Sequence, residues 1–306
     1  MTTKTKRPVC DYEGYAYQEF WESGRDYEDA VERIALRRLL PPRGGRLAEI
    51  GAGYGRLLPL YAGYREVVLV DHALSQLEEA RRRWGPAGPG GHPLYTYVAA
   101  DFYNLPFLEG SFDTAVMVRA LHHASDAPAV LSAVAGILAS RGTFVLEFAN
   151  KRNLKAILRY IIGKQSWSPF DRQPIEFMPL HFNFHPDSVL EHLAAGGMEI
   201  EAQRTVSHFR VGLLKRLVPT RLLAGLDGLF QPTGSLWQLT PSVLVRSVAP
   251  RGQAPLREAG IFRCVACGSG PLTQQPAALT CAACGALYSA DDGIYDLRAP
   301  VGEGAA

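Results

Sequence analysis

The chain has 306 residues, with 32 Lys+Arg against 30 Asp+Glu and a formal net charge of +2. That length suits one large domain or two smaller ones, and 47% hydrophobic with 20% charged residues excludes wholesale disorder. The balanced charge excludes a global electrostatic pull toward nucleic acid, and no uninterrupted apolar stretch reaches the roughly 18 residues of a membrane span.

The start, Met1 to Pro8, is basic but leads into no apolar core of the kind a secretory signal needs, so a cytoplasmic protein is expected. Residues 12–40 alternate aromatic and charged positions. Ala30, Ile34 and Leu36 to Leu40 then form a stripe near the helical period, which predicts a helix ended by Pro41-Pro42. Strands are predicted over 46–50, 66–71, 95–100, 112–118 and 143–148, and helices over 57–62, 74–84 and 128–138. The second strand is almost wholly apolar, as a strand buried on both faces must be. Such alternation with short links predicts a parallel, doubly wound α/β sheet.

The second half is less regular. A basic amphipathic helix is predicted over 151–163, a Pro- and aromatic-rich excursion over 165–183, and a helix over 186–195. Late strands over 198–207 and 242–248 flank a Leu-rich, basic stretch at 209–230, and residues 249–260 have the composition of a linker.

The chemistry-bearing motif is Glu49-Ile-Gly51-Ala-Gly53-Tyr-Gly55, between the first strand and its helix. Glycines there permit positive φ and close approach of a ligand to the backbone. A dinucleotide fingerprint needs G-x-G-x-x-G, and Arg56 after Gly55 breaks it at the third glycine. Asp71 ends the second strand, where a carboxylate can accept hydrogen bonds from both hydroxyls of a ribose. Asp101-Phe102 ends the third, where an acid and a ring can take an adenine.

On these stretches, with Ser111-Phe-Asp-Thr-Ala-Val116, Leu121-His-His-Ala124 and the strand from Gly142 to Phe148, the sequence resembles the class I S-adenosylmethionine-dependent methyltransferases. The resemblance covers about residues 46–150 well and extends by element order to 248. One departure is Ser140-Arg141-Gly142, where the family commonly has Pro-Gly-Gly. The resemblance implies a Rossmann-like sheet of seven strands, the last antiparallel. It also implies S-adenosylmethionine (SAM) at the strand carboxyl ends, against Glu49, Gly51, Ala52, Gly53, Gly55, Asp71, His72, Asp101, Phe102 and Arg119. His122 and His123 follow the fourth strand, and either can act as a general base near neutral pH. The Asn/Asp-Pro-Pro-Tyr signature of methyltransferases acting on exocyclic or amide nitrogens is absent.

Tyr12, Tyr15, Tyr17, Trp21 and Arg25 precede the first strand. In similar enzymes such a segment folds over SAM as a lid, which would bring Arg25 to the methionyl carboxylate. The substrate-side segments 151–184 and 208–240 hold Trp167, Phe170, Phe177, Met178, His181, Phe182, Phe184, His185, Phe209, Phe230 and Trp237. These are expected to line an apolar acceptor pocket. Their basic stretches, with Lys151, Arg152, Lys155 and Arg159 in one and Arg210, Lys215, Arg216 and Arg221 in the other, read as a solvated face or as a peripheral membrane contact.

Five cysteines are distributed unevenly: Cys10 stands alone and reads as an ordinary residue, whereas Cys264, Cys267, Cys281 and Cys284 form two Cys-x-x-Cys-Gly knuckles. Four thiolates at that spacing suit a closed tetrahedral zinc site. The ending through Leu297 resembles the zinc-ribbon activator subunits of certain methyltransferases, in which the ribbon binds a protein or RNA or braces the catalytic domain.

The expected organisation is a helical lid over 1–45, a methyltransferase domain over 46–248, a linker over 249–260 and a zinc ribbon over 261–306. The expected function is SAM-dependent O- or C-methylation of a small apolar or aromatic molecule, with structural zinc. The alternatives are an RNA methyltransferase gripping nucleic acid through the ribbon, and a non-catalytic SAM-binding scaffold.

Overall fold

The computed structural model of the chain describes residues 7–10 and 12–302; the start of the basic segment, Met1 to Lys6, and the end of the ribbon segment, 303–306, lie outside them. Two helices, α1 (Tyr17–Glu22) and α2 (Asp26–Leu39), precede β1 (Gly44–Ile50). There follow β2 (Tyr64–Asp71), α3 (Leu74–Trp84), β3 (Leu94–Ala99), β4 (Phe112–Met117), α4 (Ala127–Ala135) and β5 (Leu138–Ala149). Next come α5 (Leu154–Ile161), the short hairpin β6 (Ile175–Met178) and β7 (His181–Asn183), and α6 (Pro186–Ala195). After β8 (Glu199–Val206) come α7 (Gly212–Leu217), α8 (Thr220–Phe230) and β9 (Ser242–Val248). The tail contributes β10 (Thr273–Gln275), β11 (Ala278–Thr280), β12 (Leu287–Asp291) and β13 (Ile294–Asp296).

The main sheet runs β10-β11-β12-β13-β3-β2-β1-β4-β5-β9-β8. From β3 to β8 these are the seven strands expected, with β9, the last of the seven in chain order, antiparallel to β5. Alternate side chains of the central strands serve opposite cores: Val68 and Val70 pack with Ile50, Phe112 and Phe148, whereas Val67 and Leu69 pack with Leu36, Leu47 and Tyr61. Burial on both faces is why these strands read as apolar runs.

The four tail strands add to the same sheet, for β13 pairs in parallel with β3, Tyr295 opposite Val98. Ile261, Leu272, Leu279, Tyr288 and Leu297 share one apolar core with Val98 and Phe107. Residues 249–260, linker-like in composition, are held along their length. Ala249 N–H donates to the Gly142 carbonyl, Arg257 N–H to that of Gly110, and the buried Arg46 donates to the carbonyls of Arg257 and Glu258.

The helix expected over 57–62 is only a single 3-10 turn, Leu58–Leu60. Pro59 has no N–H to donate. Gly63 must also slot beneath the Pro42 carbonyl, where an added Cβ would lie 2.1 Å from the oxygen, so the chain turns back too soon for a helix. No helix among the described residues is long and apolar enough to cross a membrane.

Candidate functional site

A cavity opens at the carboxyl ends of β1 and β2. One wall is Ile50, Gly51, Gly53, Val70, Asp71 and His72; Ala100 and Phe102 continue it after β3. Arg119, Ala120 and His123 close it from the loop after β4, and Val9, Cys10, Tyr12 and Tyr17 cover it from the N-terminal segment. Gly51 sits at φ +74°, and a Cβ there would come within 2.4 Å of Ala120 Cβ, so bulk at that position would collide with the opposite wall. Gly53 sits at φ +53° with the Tyr17 ring close by.

Asp71 ends β2 with both oxygens engaged: Gly53 N–H donates to Oδ2 at 2.8 Å and Ala73 N–H to Oδ1 at 3.0 Å. Burial raises its pKa, opposed by those backbone donors. Asp101 folds back to accept from Tyr103 N–H at 2.8 Å, which fixes the turn that presents Phe102.

Arg119 lies in the left-handed region, at φ +55°, with its N–H donated to Glu147 Oε2 at 2.9 Å. Its guanidinium donates Nε–H to Glu32 Oε1 at 2.6 Å, and Arg56 donates to Glu32 Oε2 at 2.8 Å. Glu32, on α2 and fully buried, thus ties the loop after β1 to the loop after β4. Trp21 lies beneath both cations, 3.7 Å from Arg56 and 5.3 Å from Arg119.

At the far end stands a polar cluster. His123 Nδ1 lies 3.2 Å from the Leu180 carbonyl, which can only accept, and this assigns the proton to Nδ1. Nε2 is left as an acceptor 3.1 Å from the Tyr12 hydroxyl. Burial lowers the His123 pKa to about 4, so the ring is neutral at pH 7. The ring of His181 lies 4.7 Å away, and one ligand atom from each of Cys10, His123 and His181 falls within 4.8 Å of the others.

Of the residues picked out in the sequence, Gly51, Gly53, Asp71, His72, Phe102, Arg119 and His123 therefore line one cavity. Glu49, Ala52, Gly55, Asp101 and His122 lie outside its wall. Glu49 is buried beneath the glycine turn, where desolvation first of all raises its pKa to about 8. The His122 ring is tilted at 47° against that of His123 with ring centres 3.8 Å apart, and burial holds its pKa well below the usual histidine value. Arg25 does not reach the cavity; it stacks on Phe20 at 3.7 Å, and Arg119 occupies the wall instead.

Cys10, an ordinary residue by sequence, and Gln76 are also in the wall, and Glu32 and Glu147 stand behind it. No spacing rule links residues so far apart in the chain. Of the expected apolar lining, Phe170, Phe177, Met178, Phe230 and Trp237 are exposed on the outer surface rather than turned into a pocket.

The tail brings its four cysteines together, Cys264 Sγ to Cys284 Sγ and Cys267 Sγ to Cys281 Sγ both at 3.6 Å. That is far from the roughly 2.05 Å of a disulfide and close to the edge, about 3.8 Å, of a tetrahedron with Zn–S bonds of about 2.3 Å. The two knuckles are built alike, with Gly268 N–H donated to the Cys264 carbonyl and Gly285 N–H to that of Cys281, both at 2.9 Å.

A family model described as a methyltransferase domain matches residues 48–146. An O-methyltransferase of Penicillium expansum is 29% identical over 133 residues, 41% of this chain and 48% of that protein. The 27-O-demethylrifamycin SV methyltransferase of Amycolatopsis mediterranei is 30% identical over 133 residues, 42% of this chain and 48% of that protein. The chain thus spans about half the length of the curated relatives it matches.

Among solved structures, a SAM-dependent methyltransferase from Thermotoga maritima superposes with a TM-score of 0.53 at 19% identity, over 78% of this chain and 97% of that one. A complex of a methyltransferase with the methyltransferase activator Trm112 from Haloferax volcanii gives 0.52 at 17% identity, over 77% and 98%. At these identities the superpositions speak for the fold. Residues 48–146 thus match a methyltransferase domain, and the chain has the fold of the solved SAM-dependent methyltransferases.

Proposed function

We propose that the protein transfers a methyl group from SAM to a hydroxyl or acidic carbon of a small, fairly apolar molecule. The observation that carries this reading is the convergence, in one cavity, of Gly51, Gly53, Asp71 and Phe102 with a neutral histidine, His123. In this reading Asp71 holds the ribose hydroxyls, and Phe102, presented by the turn that Asp101 fixes, packs on the adenine. The Gly51 and Gly53 backbone, with His72 and Arg119, borders the rest of SAM. Glu49, Ala52 and Gly55 shape the turn from behind.

SAM supplies a methyl group already activated on its sulfonium, so the chain has to orient the acceptor and take up a proton. His123 is built for the second task, since the Leu180 carbonyl fixes its Nδ1 proton and leaves the Nε2 lone pair on the Tyr12 side. The O-methyltransferases among the relatives favour an oxygen acceptor.

Titration with S-adenosylhomocysteine by calorimetry tests the cofactor half of this reading. Asp71→Ala is expected to weaken binding roughly tenfold or more. Equal affinity in the variant would overturn the placement of the ribose, and no binding by the wild type would overturn the reading as a whole.

We infer further that the four cysteines hold one structural zinc ion and that the ribbon braces the catalytic domain. In favour of bracing, the inner ribbon edge is spent on β3, Arg263 donates to Asn104 Oδ1, and Arg298 is occupied by Asp296 and the His72 carbonyl. Those two cations are thereby withdrawn from phosphate binding, against the RNA alternative. Four metal-binding thiolates suit a reducing, cytoplasmic compartment. Elemental analysis of freshly purified protein is expected to give about one zinc per chain, and absence of zinc would refute the assignment.

A further inference from the structure

We propose that α5, the β6–β7 hairpin and the α7–α8 segment form one surface that docks on an anionic lipid bilayer, from which the enzyme draws an amphiphilic acceptor. The acceptor half rests on the methyltransferase reading above; the docking half does not.

Helix α5 is inside out. Leu154, Leu158, Ile161 and Ile162 recur at intervals of four, three and one, a single stripe that in a globular helix would face the core. Here all four are exposed, Ile161 by 69%, and only the small Ala156 is buried. The same inversion marks the second segment, where Leu213, Leu217 and Leu229 are exposed by 66%, 71% and 73%. Leu236 and Trp237 follow it outward. Of the exposed large apolar side chains among the described residues, all but Tyr15, Leu94, Leu287 and Val301 fall between residues 154 and 239. Scattered singly they would need no explanation, but gathered in one part of the chain they mark an interaction surface.

Topology puts both segments in one place. The α5 segment leaves the sheet after Ala149, and the α7–α8 segment spans from Val206 to Ser242; Ser242 is the register partner of both Ala149 and Val206. The two therefore emerge side by side at the end of the sheet where the cavity opens. The hairpin joins surface to cavity: exposed Phe177 lies 5.9 Å from His181, which lies 4.7 Å from His123 in the cavity wall.

Charge selects the occupant. Lys155 and Arg159 flank the α5 stripe, and Arg216 and Arg221 lie beside the exposed leucines of α7 and α8. All four are exposed and none forms an ion pair among the described residues. The exposed acids nearby, Asp171 and Glu176, are turned onto the backbone N–H groups of Gln173 and Leu180. Apolar side chains rimmed by cations match the acyl and headgroup layers of an anionic bilayer. A second copy of the chain would set like charges against each other.

Flotation of the full chain with phosphatidylcholine vesicles, with and without phosphatidylglycerol, tests this. Binding is expected to the phosphatidylglycerol vesicles, roughly tenfold or more above phosphatidylcholine alone. Leu158→Ser with Ile161→Ser should abolish it, and Lys155→Glu with Arg159→Glu should remove the preference for anionic lipid. All variants should still bind S-adenosylhomocysteine, which shows that they are folded and separates this surface from the cofactor site. Failure of the wild type to float with either vesicle would overturn the proposal. So would a dimer by analytical ultracentrifugation that Ile161→Ser dissolves, which would assign the surface to self-association. Vesicle binding without S-adenosylhomocysteine binding would retain the surface and remove the acceptor reading.

Discussion

At the residue scale, burial decides what the titratable groups do. Glu49 keeps its proton to about pH 8 because burial strips water from its carboxyl, a cost that the nearby Arg56 charge and the Tyr61 hydroxyl only partly offset. Between the ordinary carboxylate pKa and about 8 the native state therefore binds a proton that the unfolded chain has lost. Stability drains away as pH rises through that window. Glu49→Gln removes the titration, and is expected to raise stability by on the order of 3 kcal/mol at pH 8 and to change little at pH 4. Urea unfolding at the two pH values checks it.

His123 behaves in the opposite sense, since its depressed pKa makes the neutral ring the native form. Its contribution to stability is complete above the ordinary histidine pKa of about 6.5 and is lost as pH falls toward 4. If His123 is the base, kcat falls on the acid side only near pH 4. His123→Ala should cost roughly 10²–10⁴ in kcat with S-adenosylhomocysteine affinity retained. A variant of undiminished kcat would remove the residue from the reaction.

At the element scale, two clamps hold the cavity. One is α2, whose Glu32 lies between Arg56 and Arg119. Removing the carboxylate leaves two cations facing each other, so Glu32→Leu should destabilise by about 3–5 kcal/mol. The other is the ribbon, which grips two turns bordering the cavity: Arg298 donates to the His72 carbonyl, and Asn104, two residues past Phe102, bonds to Val265 and Arg263. Cys267→Ser should therefore weaken S-adenosylhomocysteine binding although the thiol is remote from the cavity. Unchanged calorimetric affinity would show that the ribbon does not brace the site.

At the scale of the whole molecule, the ribbon and the large domain share one sheet and one core. If the four cysteines hold zinc, the metal contributes folding energy directly, and a chelator should lower the Tm of the entire chain within a single calorimetric transition. Two separated transitions would mean that the tail melts alone.

Much of this was legible in the residues. Apolar runs marked the central strands because those strands are buried on both faces, the glycine turn and Asp71 announced a crevice at the strand ends, and the paired knuckles announced a cluster of four thiols. The direction in which a stripe faces was not legible, because the period of α5 is the same whether its apolar side meets a core or solvent. The docking of β13 on β3 was also hidden, since backbone edges carry no side-chain signature. Nor could spacing join Cys10, Tyr12, His123 and His181, which are brought together only by chain reversals. By itself, then, the sequence determined the local elements and the type of fold, through periodicity and the backbone demands of glycine and proline. Tertiary structure alone decided which charges meet, which histidine faces the cavity and which leucines face outward, because these depend on contacts between segments far apart in the chain.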